Sequence, residues 1–260
     1  MVCMFLLHLL FLSSCDDSSI PVSAARIEAI RIVNTCKNGS GAFGGCAEIR
    51  EITLPFVGKG SGFDSGDKYH FGRIFGTNQK FSDKAEKTEQ TSSNSVSANP
   101  KYWIPASVKQ VRVMGGEIGF GAFNGCGCIE SVMLDDDVSS IGQWAFHGCI
   151  GLKSIALPSS IASLAGYQCF ADCISLESII IPESCAQIGS GAFAGLSALA
   201  SSWALDIFLK SSSNTLPPGF ESGWNRRDSS FEHRYYAYSE SEPVSTGGLW
   251  HYVDGKPTIW

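Results

Sequence analysis

One short motif, Gly-x-x-Ala-Phe-x-x-Cys, recurs along the chain and constrains the fold more than any other feature. Its phenylalanines are Phe43, Phe123, Phe146, Phe170 and Phe193. The last four are 23, 24 and 23 residues apart, whereas 80 residues separate the first from the second. A fixed period of this length is typical of repeat proteins, in which each repeat packs only against its neighbours. The sequence therefore predicts a repeat solenoid with one long insertion.

Apolar residues occupy fixed places after each phenylalanine. A cysteine follows three residues later in four motifs, and an apolar residue follows three after that. Two further apolar positions then alternate with other residues, which is typical of a short strand. Since one coil cannot bury its own apolar edge, stacked coils are expected to align these positions into a continuous core. The cysteines are Cys46, Cys126, Cys149 and Cys173, and the strand pairs are Ile52 and Leu54, Val132 and Leu134, Ile155 and Leu157, and Ile179 and Ile181.

The repeat at residues 141–158, IGQWAFHGCIGLKSIALP, resembles the BspA-type leucine-rich repeat. The resemblance covers residues 40–54 and 118–199, with Cys169 standing where the motif has alanine. It implies a leucine-rich-repeat solenoid, rich in β-strands, with short helical or 3₁₀ turns. The family is found in bacterial and some protist surface or secreted proteins implicated in adhesion.

The chain divides into five predicted regions. Residues 1–25 are a signal peptide or lipoprotein signal with its tether, and residues 26–57 are the first repeat region. Residues 58–101 form an insertion with a mobile polar loop. Residues 102–209 are the leucine-rich-repeat solenoid, and residues 210–260 are an aromatic, β-type C-terminal cap. The aromatic tail has two interpretations: a cover for the apolar end of the stack, or a platform on which sugars or peptides stack.

The N-terminal region predicts export. Residues 4–12, MFLLHLLFL, are apolar apart from His8, too short to span a bilayer but suited to the core of a secretory signal. Leu12-Ser13-Ser14-Cys15 resembles the bacterial lipobox, which makes Cys15 a candidate for lipidation. Cleavage near residues 21–25, or a buried strand or helix at the edge of the solenoid, are the alternatives.

No catalytic, metal or cofactor site is predicted. The five histidines lack metal-like spacing, and Cys126 and Cys128 have no second ligand pair at a suitable distance. The column cysteines are expected to be buried, reduced thiols. A net charge of -6 and a pI near 5.4 give no basic surface for nucleic acid.

We therefore expect a non-enzymatic binding protein that presents a concave strand face to a protein or glycan ligand, with a role in adhesion. Its location is expected to be extracellular or at the cell surface, with membrane attachment only through Cys15. The alternative is a structural spacer or intracellular scaffold without its own ligand. Because strand residues alternate between two faces, the candidate ligand-facing residues are Glu51, Thr53, Ser131, Met133, Ser154, Ala156, Ser178 and Ile180.

Overall fold

The chain is a β-solenoid of about five turns with almost no helix, which confirms the predicted repeat solenoid. The computed structural model describes residues 9–12, 29–32, 43, 49–57, 70–77, 87–90, 101–164, 166–195, 204–211, 216–227, 232–241 and 248–260. Among these residues the helical element is a short 3₁₀ helix, Phe71–Ile74. Cys15, Cys36, Cys46 and most of the predicted signal lie outside the described residues.

Parallel strands stacked coil upon coil form the main row of the solenoid. The first set pairs in the order β1 (Leu9–Leu12), β2 (Ala29–Ile32), β3 (Glu51–Leu54), β6 (Gln110–Ile118), β7 (Ser131–Ile141) and β8 (Ser154–Ala156). The second set pairs in the order β10 (Ser178–Ile181), β12 (Asp206–Leu209), β14 (Arg234–Tyr238) and β15 (Leu249–Val253), and β16 (Lys256–Ile259) closes it in antiparallel fashion.

A second row of strands runs along another side of each coil. It consists of the end of β7, then β9 (Ser163–Leu164), β11 (Gln187–Ile188) and β13 (Gly219–Phe220), all parallel. Seven of the eight apolar strand positions found in the sequence are buried, and Ile52, Leu134 and Ile179 are at most 4% exposed. Leu157 is the exception, because it follows the end of β8 and is half-buried. The core is therefore one continuous stripe along the stack.

A column of phenylalanine rings fills the third side of the solenoid. Phe123 and Phe146 are stacked with ring centroids 5.0 Å apart, and Phe170 and Phe193 continue the column at 5.7 Å. Each coil is also joined to the next by the main chain, because the Phe123 N–H donates to the oxygen of Ala145. Such a column buries large apolar side chains without any help from helices.

The insertion contributes to this column. The ring of Phe71 lies 5.2 Å from that of Phe123, and the Phe71 N–H donates to the oxygen of Ala122 at 2.8 Å, as the other column residues do to their neighbours. The polar part forms a hairpin of β4 (Lys87–Gln90) and β5 (Tyr102–Pro105). Gln90 is fully buried, accepting from the Gly72 N–H at 2.6 Å and donating to the oxygen of Ala122 at 2.9 Å. These bonds satisfy a buried amide and fasten the insertion to the stack.

Parallel pairing extends beyond residue 209, where the predicted solenoid ends. Strand β12 lies at the end of the predicted region, and β14 and β15 continue the row. Trp224 covers the end of the phenylalanine column, its ring 6.3 Å from that of Phe193 and tilted by 74°. At the other end, Leu9–Leu12 forms strand β1, which corresponds to the edge-strand alternative for the apolar N-terminus.

Candidate functional site

The strand face is the surface formed by the outward side chains of β3, β6, β7, β8 and β10. Strand pairing aligns Thr53, Arg112, Met133 and Ala156 in one row across four coils. Met133 is 50% exposed, although it is a large apolar side chain. All eight candidate residues lie on this face and are exposed or partly exposed, and their contact with a ligand stays a prediction. The parallel row beside the first contains Glu51, Gln110, Ser131 and Ser154.

The eight candidate residues leave out the β6 part of the strand face. Gln110 and Arg112 both point outward and are exposed. A signal was available, because Val111 and Val113 alternate as Ile52 and Leu54 do. No Gly-x-x-Ala-Phe-x-x-Cys motif precedes this strand at the usual distance, so the repeat pattern alone does not include it.

Charged side chains on the strand face pair between coils. Arg112 donates twice to the Asp135 carboxylate, at 2.8 and 2.9 Å, and this contact raises the pKa of the guanidinium. Glu130 lies between Lys153 at 2.7 Å and Lys109 at 3.3 Å. Hydrogen bonds from Lys153 and then Lys109 lower the pKa of the Glu130 carboxyl. Both arrangements are solvent-exposed, so they orient side chains more than they stabilise the fold.

Toward the C-terminus, an aromatic cluster covers the strand face. Ile180 is aligned with Phe208, and Phe208 with Tyr236. These side chains pack with Trp250, which is fully buried and donates its indole N–H to the Leu209 oxygen at 2.9 Å. Ile180 is therefore partly committed to the protein's own packing, and Ser178 is the freer of the two candidates on β10.

Two adjoining grooves cross the strand face. The larger, about 690 Å³, is lined by Ser154, Ala156, Ser178 and Ile180, four of the eight candidate residues. Its far wall is made by Tyr252 and Pro257 of the β15–β16 hairpin, with Lys153, Lys210 and Glu183 among the other lining residues. The smaller, about 520 Å³, lies beside Arg112, Met133 and residues 135–137 and shares Ala156 with the first. The hairpin and the strand face thus meet in one place.

The described cysteines are buried free thiols: Cys126, Cys128, Cys149, Cys169, Cys173 and Cys185. The Cys149 thiol donates to the Phe123 oxygen at 3.1 Å, and Cys173 to the Phe146 oxygen at the same distance. Burial raises the pKa of both thiols, so they are poor nucleophiles and poor metal ligands. Within the described ranges, no three His, Cys, Asp or Glu residues are grouped closely enough to hold a metal ion.

The repeat geometry agrees with a match to a family model. The BspA-type leucine-rich-repeat region matches residues 116–213 in six copies. Residues 116–213 therefore have the repeat pattern of the BspA-type leucine-rich repeat. In the described part of the chain, no helix is long and apolar enough to cross a membrane. No curated protein sequence matches the chain.

Several solved bacterial structures resemble this repeat protein at a low level. A T. pallidum leucine-rich-repeat protein is 18% identical, with 89% of this chain and 73% of that chain covered and a TM-score of 0.34. A leucine-rich-repeat protein from Bacteroides ovatus is 22% identical, with coverages of 88% and 39% and a TM-score of 0.34. A leucine-rich cell surface protein from Faecalibacterium prausnitzii is 26% identical, with coverages of 71% and 42% and a TM-score of 0.32.

Each BspA-type coil places the residue two positions before its phenylalanine in the left-handed region. Gly121 and Gly191 have φ of 60° there, and Trp144 and Gln168 have φ of 56° and 55°. The two larger side chains meet across neighbouring coils, since the Trp144 indole N–H donates to Gln168 Oε1 at 3.1 Å. This conformation is costly for residues other than glycine, and the hydrogen bond offsets part of that cost.

Proposed function

We propose that this protein is a non-enzymatic binding protein of the cell surface, which engages a macromolecular ligand through the strand face. The observation that carries the proposal is the row of Thr53, Arg112, Met133 and Ala156, aligned by strand pairing and left open on one side of the solenoid. The BspA-type repeat supports a role in protein binding or adhesion.

The grooves support binding rather than turnover. The strand face holds serine hydroxyls, solvent-exposed ion pairs and an exposed methionine, Met133. The pKa shifts of its Arg112 and Glu130 side chains, raised and lowered respectively by their ion pairs, both lead away from neutrality. General acid–base catalysis needs a group with a pKa near neutrality close to the reacting atoms. A surface of this composition is suited to recognition.

Binding to a panel of immobilised extracellular-matrix proteins and polysaccharides tests the proposal. Met133→Arg and Ser178→Arg are expected to weaken binding at least tenfold, because each puts a long side chain into the strand face and blocks close contact there. Tyr167→Arg is the matched control, since Tyr167 is 47% exposed but lies on the turn side of its coil, before Phe170. A spacer without its own ligand would bind nothing in the panel, and equal effects of all three variants would place the binding surface elsewhere.

A further inference from the structure

The main row of strands is interrupted at one place, between β8 and β10. Neighbouring strands on both sides of this place form parallel ladders, yet β8 and β10 belong to separate sheets. In earlier coils the oxygen just before a strand accepts two N–H groups of the next coil, as Glu130 accepts from Lys153 and Ser154. Among the described residues, the Lys153 oxygen receives no such pair from Glu177 and Ser178. Main-chain groups of both strands are therefore left available.

The gap is narrow. Some Cα atoms of β8 and β10 still lie within 8 Å of each other. An added strand between them would need two ladder spacings, roughly 9.6 Å. The gap therefore excludes an added peptide strand, so a ligand that pairs with these main-chain groups has to be smaller and has to both donate and accept hydrogen bonds. A hydroxyl group does both.

The larger groove opens over this gap. Ser154 and Ser178 contribute hydroxyls to it from the two separated strands. Its volume of about 690 Å³ falls within the range of roughly 300–1,000 Å³ typical of small-ligand sites. A short chain of hydroxyl-bearing units fits these features better than a protein surface does.

An aromatic ring stands at the wall of the groove. Tyr252 is 39% exposed, and its ring packs edge-on against Trp250 with centroids 5.0 Å apart. Since Trp250 is itself fully buried, the Tyr252 ring is held in position before any ligand arrives. The flat apolar face of such a ring is a surface on which a pyranose ring stacks.

One cation of the groove, Lys210, is placed to pair with an anionic group of a ligand. Lys153 and Lys210 line the groove together with one acid, Glu183. Lys153 is already paired with Glu130 at 2.7 Å. No carboxylate of the described residues lies within the 4.0 Å salt-bridge distance of the Lys210 ammonium. In a chain of net charge -6, Lys210 thus supplies a local positive charge to the groove.

We propose that this groove binds a short acidic oligosaccharide. Sugar hydroxyls bridge the available main-chain groups of β8 and β10, one pyranose ring stacks on Tyr252, and a uronic-type carboxylate pairs with Lys210. This proposal rests on the binding function proposed above and names the ligand class for one part of the strand face.

Isothermal titration of the full chain with hyaluronan tetrasaccharide and with oligogalacturonate tetrasaccharide tests the proposal. At least one of them is expected to bind, more weakly as the salt concentration rises. Neutral chitotetraose, of equal length, is expected to bind at least tenfold more weakly. Lys210→Gln and Tyr252→Ala are each expected to reduce affinity at least tenfold, while Tyr252→Phe keeps the ring and retains binding. Lys256→Gln is the matched control for Lys210→Gln, because Lys256 is an exposed cation outside the groove lining, on the same hairpin as Tyr252.

Three results would overturn the oligosaccharide proposal: equal affinity for the neutral sugar, no effect of Lys210→Gln, or binding only of an acidic peptide such as Glu-Ala-Glu-Ala. Absence of binding to every sugar would overturn it as well. The broader binding function would survive any of these results if Met133→Arg still weakened binding to the protein and polysaccharide panel. Loss of both would remove the strand face as the binding surface.

Discussion

Phe146 and Phe170 lie face to face, with ring centroids 5.2 Å apart and ring planes within 1° of parallel. Their coils are 24 residues apart in sequence, one more than the coils on either side. The Phe146 N–H nevertheless donates to the Cys169 oxygen at 2.8 Å, as in the neighbouring coils. The extra residue is therefore absorbed outside the column, and the register of the rings determines how the coils stack.

The column predicts a large stability loss when one ring is removed. Phe146→Ala is expected to lower the free energy of unfolding by about 3–5 kcal/mol, because it leaves a cavity between two stacked rings. Tyr167→Ala, at an exposed position, is expected to change it by less than about 0.5 kcal/mol. Urea denaturation followed by tryptophan fluorescence measures both. Equal effects of the two substitutions would show that the column does not carry the stacking energy.

Gly121 and Gly191 both have φ of 60°, yet substitution by alanine is expected to lower stability by different amounts at the two positions. At Gly191 an added Cβ would lie 3.6 Å from its nearest neighbours, so Gly191→Ala is strained only by its backbone, at about 1–2 kcal/mol. At Gly121 the added Cβ would lie 3.0 Å from Nε2 of the buried His70, so Gly121→Ala adds overpacking of about 1–3 kcal/mol. Thermal unfolding of both variants is the measurement. A smaller loss for Gly121→Ala than for Gly191→Ala would contradict this explanation.

Much of the fold could be predicted because apolar residues recur at the same positions in each coil, so each coil buries equivalent side chains. Phe123 and Phe146 recur at one spacing, and each stacks on the next. The alternation of Val132 and Leu134 likewise predicts which side chains enter the core, and Met133 between them points outward as expected. In these coils the residues that share a position in the repeat also contact each other, so the sequence alone predicts which side chains enter the core.

Other parts depend on contacts that no local pattern shows. Phe71 lies in the phenylalanine column although the full motif does not surround it. Its hydrogen bond to Ala122 and its contact with Phe123 hold it there. Ile207 of β12 pairs with Tyr235 of β14, so these two strands are 28 residues apart. This spacing is longer than the repeat period of 23 or 24 residues. The groove could not be predicted either, because it depends on how the β15–β16 hairpin folds back toward Ser154 and Ser178.

The buried thiols predict a loss of stability in alkali. Burial raises the pKa of Cys126, Cys149 and Cys173 above the ordinary value of 9.0, and that of Cys185 to about 11. The folded chain therefore keeps protons that the unfolded chain releases. The contribution of each thiol to the free energy of unfolding is fully present below the unfolded pKa of 9.0. It is lost as the pH rises from 9.0 toward the pKa in the folded chain, by about 1.4 kcal/mol per thiol and pH unit.

Urea midpoints measured between neutral pH and the alkaline range, with a reductant present, give this slope. Cys149→Ala removes one of the thiols and is expected to flatten the slope, even though it lowers stability at neutral pH. Ser154→Ala is the control, because it changes an exposed side chain that does not titrate in this range. An unchanged slope in Cys149→Ala would mean that groups other than the thiols cause the alkaline loss.

The N-terminal strand makes the export proposal sharply testable. Leu9–Leu12 pairs in parallel with Ala29–Ile32, and Ala29–Ile32 pairs in turn with β3. Processing at Cys15 would remove β1 but leave the pairing of β2 with β3 intact, so the processed chain is expected to fold. Fractionation of cells expressing the full chain, with intact-mass analysis, should therefore find a membrane-bound form that begins at a lipidated Cys15, and Cys15→Ala should abolish that attachment. An unprocessed chain retaining Met1 inside the cell would instead assign Leu9–Leu12 to the solenoid edge and favour an intracellular scaffold.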